Sequence, residues 1–498
     1  MSNGGWPVGG ETGRSRGWVP PGGSAVQPPT PPTPTSPGVP SIEGLTPNPT
    51  PGPGRPVGLI VAAASAVLIL LVVVVVWTTR DDGKRAQIVL HPRSSVPARG
   101  GRPSTTVPTV ESSAPPATTA PVTVTSSATT VTSSEPTVVG TPLQGVASVG
   151  AGFGSSCAVF ADASMACWGR NDVGQLGDGT RESSPFPVRV TPTSSGNNPP
   201  VIGWAHACSI GVDGGVSCWG ANSAGQLGDG RTTDSPKAVP VVGISDTTSL
   251  SAGGTHTCAL PSVGNARCWG RLSLTGGGPG GDSLVPVEVD GTSPAIGISS
   301  GEAHVCVALQ HEGTGSVVCW GANDRGQLGN ATLAGSPVPV EVSGLTGVGV
   351  NAVAAGRRHT CALRAPGSVL CWGANDHGQL GDGSTADSAT PRTVVGLEDA
   401  TGLGTGDGFS CAARQSGRVV CWGANRDGQL GDGSHTDSSV PVPVEGLKDS
   451  FGVAVGSAHA CAVTIGNMRA RCWGNNAWGQ LGTGSRVSSD VPVPVVTP

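Results

Sequence analysis

Residues Arg357–Gly383 read R-R-H-T-C-A-L-R-A-P-G-S-V-L-C-W-G-A-N-D-H-G-Q-L-G-D-G, and this stretch decides the fold. Its central C-W-G returns with tryptophan at Trp168, Trp219, Trp269, Trp320, Trp372, Trp422 and Trp473, at steps of 51, 50, 51, 52, 50 and 51 residues. Seven copies at one period mark a repeat architecture and override the usual division of a long chain into domains of ~150 residues. The fifth copy contains four short strand-like pieces, Asn351–Ala355, His359–Leu363, Ser368–Gly373 and Thr390–Val395. Four strands per period are the pattern of a propeller blade. A solenoid would need capping units at both ends, and neither end shows one. The expected fold is all-β, a seven-bladed β-propeller over residues 143–498.

All 14 cysteines fall within these copies, two in each. Five pairs have the same spacing: Cys157 with Cys167, Cys208 with Cys218, Cys258 with Cys268, Cys361 with Cys371, and Cys411 with Cys421. The pairs Cys306 with Cys319 and Cys461 with Cys472 are slightly wider. If Cys361 faces Cys371 across a hairpin, Leu363 faces Val369 and Arg364 faces Ser368. That leaves Ala365-Pro366-Gly367 as a three-residue tip, where Gly367 is expected to supply a positive φ. A directly opposed pair is within disulfide reach, and the extra residues of copies four and seven can be placed at the tip. Free buried thiols in a cytoplasmic propeller are the competing reading. An even count at opposed positions favours seven disulfides in an oxidising compartment, each contributing up to about 2–3 kcal/mol. Zinc is disfavoured, because the C-x-x-C knuckle is missing.

The remaining recurrent residues read as blade-building parts. Pro185 and Pro187, Pro337 and Pro339, Pro441 and Pro443, and Pro492 and Pro494 are each two apart, so both missing N–H groups point the same way. Proline is tolerated so on an outer edge strand, where it also blocks edge-to-edge pairing. Leu176, Leu227, Leu328, Leu380, Leu430 and Leu481 of G-Q-L-G are expected between blades, and the glutamines before them bonded to backbone in the turn. Copy three instead reads R-L-S-L-T-G-G-G-P-G-G after Gly270, which makes that loop a candidate specialised surface. His206, His256, His304, His359 and His459 hold one position in five blades, with Ser155 and Phe409 there in copies one and six. Duplication of a structural hydrogen bond explains them more simply than a metal or catalytic cluster. The pairs Asp229 and Asp234, Asp382 and Asp387, and Asp432 and Asp437 lack the alternating pattern of a calcium loop and are expected to cap turns.

Preceding the repeats are three segments of different character. Residues 1–55 are rich in proline and glycine and are expected to be a disordered tail. Val57–Trp77 runs 21 residues without a charge, about 31 Å as a helix, so 56–79 is expected to be a single membrane span. Residues 80–142 form a stalk of Ser, Thr, Pro and Val, a disordered spacer suited to O-glycosylation. Arg80, Lys84, Arg85 and Arg93 follow the span and only Arg55 stands near it on the other side, which by positive-inside counting places the repeats in the cytoplasm. The cysteines argue for the exterior, and that orientation is the one expected.

Composition narrows the function by exclusion. A net charge of −5 and a pI near 6.0 leave no basic stripe for nucleic acid. No nucleophile elbow, zinc-protease, phosphate-loop or dinucleotide fingerprint occurs. No catalytic, cofactor-binding or metal-binding residue is therefore expected. Trp204, Trp478, Phe153 and Phe409 stand outside the C-W-G series as possible face residues, with core packing expected for each.

H-T-C-A-L, C-W-G-A-N-x-x-G-Q-L-G-D-G and P-V-x-V together closely resemble the repeats of the regulator of chromosome condensation family, over residues 143–498. The resemblance implies a seven-bladed propeller, here of a bacterial-type, membrane-anchored kind. Kelch repeats have a similar length but a double-glycine and tyrosine signature that is absent, and WD repeats are shorter. The family's namesake is a nuclear guanine nucleotide exchange factor that also binds chromatin and whose activity relies on a protruding wedge and charged loops, and no insertion here exceeds a few residues beyond the period. A bacterial relative inhibits β-lactamases through aromatic residues on one face. The expected function is a non-catalytic extracellular binding module for a protein or glycan. A cytoplasmic exchange-factor-like regulator of a GTPase is the alternative, and a propeller enzyme the third reading.

Overall fold

The computed structural model describes residues 140–190, 198–272, 281–311 and 314–498, all within one compact unit. The expected tail, span and nearly all of the stalk lie outside these residues, as does most of the irregular loop after Gly270. Among the described residues no helix is long and apolar enough to cross a membrane.

Seven four-stranded antiparallel sheets follow one another along the chain, each using four consecutive strands in sequence order. The blades occupy 146–189, 201–240, 247–289, 295–341, 350–393, 400–443 and 450–494. In blade 5 the strands are Val350–Ala355, His359–Arg364, Ser368–Gly373 and Ser388–Thr393, close to the expected four. The second and third strands are almost wholly buried, whereas the fourth strands are only half-buried, as at Ser438–Pro443. Two-sided burial explains why the middle strands carry runs such as C-A-L and V-L-C-W rather than alternating polarity.

Every cysteine pair is directly opposed in register on these two middle strands, and each is bonded within its own blade. Cys157 is joined to Cys167, Cys208 to Cys218, Cys258 to Cys268 and Cys306 to Cys319. Cys361 is joined to Cys371, Cys411 to Cys421 and Cys461 to Cys472. S–S distances run from 2.06 Å at Cys361–Cys371 to 2.13 Å at Cys306–Cys319. All are buried, and no cysteine is left free. Leu363 faces Val369 and Arg364 faces Ser368 as expected. In copy four the extra residues lengthen the hairpin to His311↔Thr314 and leave Cys306↔Cys319 intact. One expectation is corrected. Gly367 is not in the left-handed region; it is glycine because a Cβ would lie 2.6 Å from the Glu398 carbonyl. Close approach of the loop leading to the next blade, rather than turn conformation, is what excludes a side chain.

The core lies between blades. Trp372 of blade 5 packs on Leu328, Val342 and Leu345 of blade 4, all fully buried, and the same layer recurs around the ring. Gly329, at φ 67°, lies beneath this indole, and a Cβ there would sit 2.7 Å from the Trp372 Nε1. The G-Q-L-G glycine is thus fixed by both its turn and its neighbour's tryptophan. Prolines of the fourth strands sit at sheet edges as expected. The start of six of these strands is also tied to the preceding blade, as where Gly383 N–H donates to the Ser439 carbonyl at 3.0 Å.

The ring closes without exchanging a strand. Thr141–Pro142, placed in the stalk by sequence, pairs antiparallel with Val496–Thr497. Blade 7 then packs on blade 1 as any other pair does, with Trp168 and Val146 against Leu481 and Val495.

Candidate functional site

Each inner strand leads into a glycine, followed by one variable residue: Phe153, Trp204, Gly254, Glu302, Arg357, Asp407 and Ser457. The glycines are imposed by crowding at the axis. A Cβ on Gly356 would meet the Gly406 carbonyl at 2.5 Å and the His359 ring at the same distance. Backbone bonds between neighbouring blades fix the variable residues: Arg357 N–H to the Gly406 carbonyl (3.1 Å), Asp407 N–H to Ser457 (3.0 Å) and Ser457 N–H to Gly152 (3.1 Å). The channel they surround is about 80 Å³, room for about three waters. That is too small for a sugar or nucleotide.

Behind this ring, the histidines form latches between blades. His206 Nε2 lies 2.9 Å from Thr257 Oγ1, His304 2.9 Å from Thr360, His359 2.9 Å from Ser410 and His459 2.8 Å from Ser156. Each hydroxyl also donates its one proton to a glutamine carbonyl, as Thr360 does to Gln327 at 3.0 Å. The imidazole must then be the donor, which assigns the neutral Nε2–H tautomer. The same carbonyl accepts the tryptophan indole, Trp372 Nε1 to Gln327 at 2.9 Å. Burial drives these histidines far below their ordinary range, to about 3 for His206 and His304 and about 4 for His359 and His459. They hold the fold and present no proton-transfer group to solvent, as expected from their repetition.

The latch follows a rule between adjacent copies. Blades whose histidine is replaced, at Ser155 and Phe409, are followed by Ala207 and Ala460 where a hydroxyl would be useless. His256 alone breaks the pattern: Val305 stands where its hydroxyl partner should be, and both buried ring nitrogens are unpartnered. Burial lowers this imidazole to about 4.

The turn residues behave as expected. Gln327 Oε1 accepts the Arg325 N–H at 2.9 Å, and all six glutamines make the same bond. Asp234, Asp387 and Asp437 accept backbone N–H groups of Asn222, Asn375 and Asn425 at 2.7–2.8 Å, and Asp229, Asp382 and Asp432 cap the next turn. Sequence reading missed the asparagine of A-N-x-x-G-Q-L-G. Buried Asn375 donates to the Ser384 and Ala386 carbonyls and accepts from Leu380 N–H at 2.9 Å, organising the whole loop. Among the described residues no cluster of His, Cys, Asp or Glu could hold a metal.

What the repeat does not explain is gathered at the channel mouth. Phe409 is fully buried, as expected, but Phe153, Trp204 and Trp478 are not core residues. They line one face, because the loops after the first and third strands of every blade open on the same side. The Arg170 guanidinium lies between Phe153 and Trp478, 5.7 and 5.4 Å from their ring centres, and is held by Asp172 at 2.6 Å. Phe153 and Trp204 are 5.6 Å apart, and Arg357 lies 5.7 Å from the Trp204 ring. Arg357 Nε donates to Glu302 at 2.9 Å, while Arg358 is 3.7 Å from both Glu302 and Asp324. A groove of about 360 Å³ runs outward from Asp407 past Arg357, Arg358, Asp376 and His377. Burial pushes the Asp407 carboxyl up to about 6; Arg357 opposes the shift and Glu302 adds to it. Arg170, Glu302, Arg357 and Asp407 were not singled out by sequence, although they occupy positions that differ between copies.

Comparison with known proteins agrees with this architecture. The RCC1-like domain family matches residues 243–498, and the regulator of chromosome condensation (RCC1) repeat matches 167–208 and 213–260. The RCC1 domain-containing protein RUG3, mitochondrial, of Arabidopsis thaliana is 33% identical over 265 residues, 49% of this chain and 59% of that protein. The ultraviolet-B receptor UVR8 of the same plant is 30% identical over 241 residues, 46% of this chain and 52% of that protein. The matches thus span less than two thirds of either relative. Human WBSCR16 superposes with a TM-score of 0.60 at 22% identity, covering 66% of this chain and 93% of that one. Prp20p of Saccharomyces cerevisiae gives 0.59 at 20%, covering 71% and 88%.

Proposed function

The chain belongs to the RCC1-like domain family, and on that premise we propose that it is a non-catalytic module that binds a protein through the face around the channel mouth. The observation that carries this reading is the strip Trp478, Arg170, Phe153, Trp204 and Arg357, aromatic and guanidinium groups in contact on one open face. Tryptophan and arginine dominate the energetics of protein interfaces. Packing against one another pre-organises them, so little is lost when a partner docks. Prp20p, which shares the fold, is described by its binding to Gsp1p and histones, and a protein partner is the class we take for this chain. Seven buried disulfides and the apolar run Val57–Trp77 support an anchored propeller outside the cell.

Photo-crosslinking in the native cell tests the binding face. A photoreactive amino acid at Val173 or Trp478 on the mouth face is compared with one at Val263, an exposed hairpin tip on the opposite side. A discrete adduct is expected from the mouth positions alone. Equal adducts from both faces, or none from the mouth, would overturn the assignment.

A further inference from the structure

Resting on this binding face, we propose that the channel mouth receives one basic side chain, a lysine or arginine, from the docked protein, with Asp407 as its counter-ion. Three observations support this. The first is charge. In this sector Arg325, Arg357 and Arg358 face five carboxylates, those of Glu302, Asp324, Asp376, Asp387 and Asp407. Glu302 and Asp387 are matched at hydrogen-bonding distance, 2.9 and 2.7 Å. Asp407 accepts no hydrogen bond among the described residues, because the Ser457 hydroxyl beside it donates to the Phe153 carbonyl at 2.6 Å. The sector is thus short of positive charge, and the shortage falls at the axis.

The second observation is size. A channel of about 80 Å³ admits the head of one side chain and no backbone. The groove of about 360 Å³ leading to it gives room for the segment that carries that side chain. The third is the lining. Phe153 and Trp204 line the same mouth, two and three blades round the ring from Asp407, and an aromatic wall suits the stem of a lysine or the plane of an arginine. A carboxylate ligand would find arginines already matched by acids and Asp407 repelling it.

The proposal has a pH signature. Asp407, on blade 6, faces Arg357 of blade 5, Glu302 of blade 4 and Ser457 of blade 7, with Asp376, Arg358 and His377 farther along the groove. Its ionisation is already unfavourable at the edge of the neutral range, since burial holds the group at about 6. A cation binds only the ionised form, so affinity falls about tenfold from pH 7.5 to pH 5.

The test titrates the purified full chain with N-acetyl-triarginine amide and, separately, N-acetyl-triglutamate amide. The readout is the indole N–H resonance of Trp204, assigned through Trp204→Phe. Saturable shifts are expected with triarginine alone, weakening about tenfold by pH 5. Asp407→Asn should weaken the neutral-pH affinity to the same extent and flatten the profile. Unchanged triarginine affinity in Asp407→Asn, or tighter binding of triglutamate, overturns the proposal. Mouth-specific photo-crosslinks would survive that outcome, so the cation reading can fail while the binding face stands.

Discussion

Replacing Thr360 by valine would reproduce, at the junction of blades 4 and 5, the arrangement that His256 and Val305 show between blades 3 and 4. Sterically the change is mild, because Val305 already occupies the equivalent site fully buried. Its cost is polar. His304 Nε2–H loses the acceptor at 2.9 Å and has no solvent to turn to, since the ring is wholly buried. The Gln327 carbonyl loses one donor but keeps the Trp372 indole at 2.9 Å. An unsatisfied buried donor costs about 1–3 kcal/mol, and the added methyl returns about 0.8 kcal/mol. The net expectation is a loss of about 1–2 kcal/mol. Thr360→Ser should cost about 0.8 kcal/mol, the value of the buried methyl alone, because the hydrogen bond itself is kept, as Ser410 and Ser156 make it in their own blades. Urea denaturation under oxidising conditions, followed by tryptophan fluorescence, measures both. A valine variant as stable as the parent would show that the latch contributes nothing, and the tautomer argument behind it would fall.

Acid should weaken the ring through the same histidines. Their folded values of about 3 to 4 lie below the ordinary 6.5, so the unfolded chain binds protons that the native ring refuses. Their contribution is complete above pH 6.5 and falls as pH drops towards 4, by about 1.4 kcal/mol per histidine at pH 5.5; urea midpoints that stay flat from pH 7.5 to 5 would contradict this. Phe409→Ala should destabilise by about 3–5 kcal/mol while Trp478→Ala costs under about 0.5, since only the first is core; comparable losses in the same denaturation assay would undo the division between core and face. Intact-mass analysis of unreduced protein should find none of the 14 cysteines alkylatable before reduction and all of them after. Fourteen reactive thiols in the native chain would instead favour the cytoplasmic orientation.

Much of the blade was legible because its parts answer to local rules. A 51-residue step, cysteines at hairpin-opposed spacing and prolines two apart each reflect constraints within one copy. Gly367 was misassigned for the complementary reason, since what it avoids is the Glu398 carbonyl, in the loop leading to the next blade. The asparagine hub was overlooked because a residue type common in turns gave no hint that its amide would be buried. Phe153, Trp204 and Trp478 were assigned to the core on hydrophobicity, which cannot distinguish a buried ring from one stacked under an arginine.

The sequence by itself determined the number of blades, the strand order within each, the cysteine partners and the structural role of nearly every recurrent residue. Repetition made this possible, because seven copies of one local solution average away what is peculiar to each. The tertiary structure decided which of the non-recurrent residues meet. Phe153, Trp204, Arg357 and Asp407 lie up to 254 residues apart in the chain, yet a closed ring brings the ends of all seven inner strands to one axis. It also showed that Thr141–Pro142 closes the circle with Val496–Thr497. Closure joins first to last and each blade to the next, so it lies in contacts that no single period of the sequence contains.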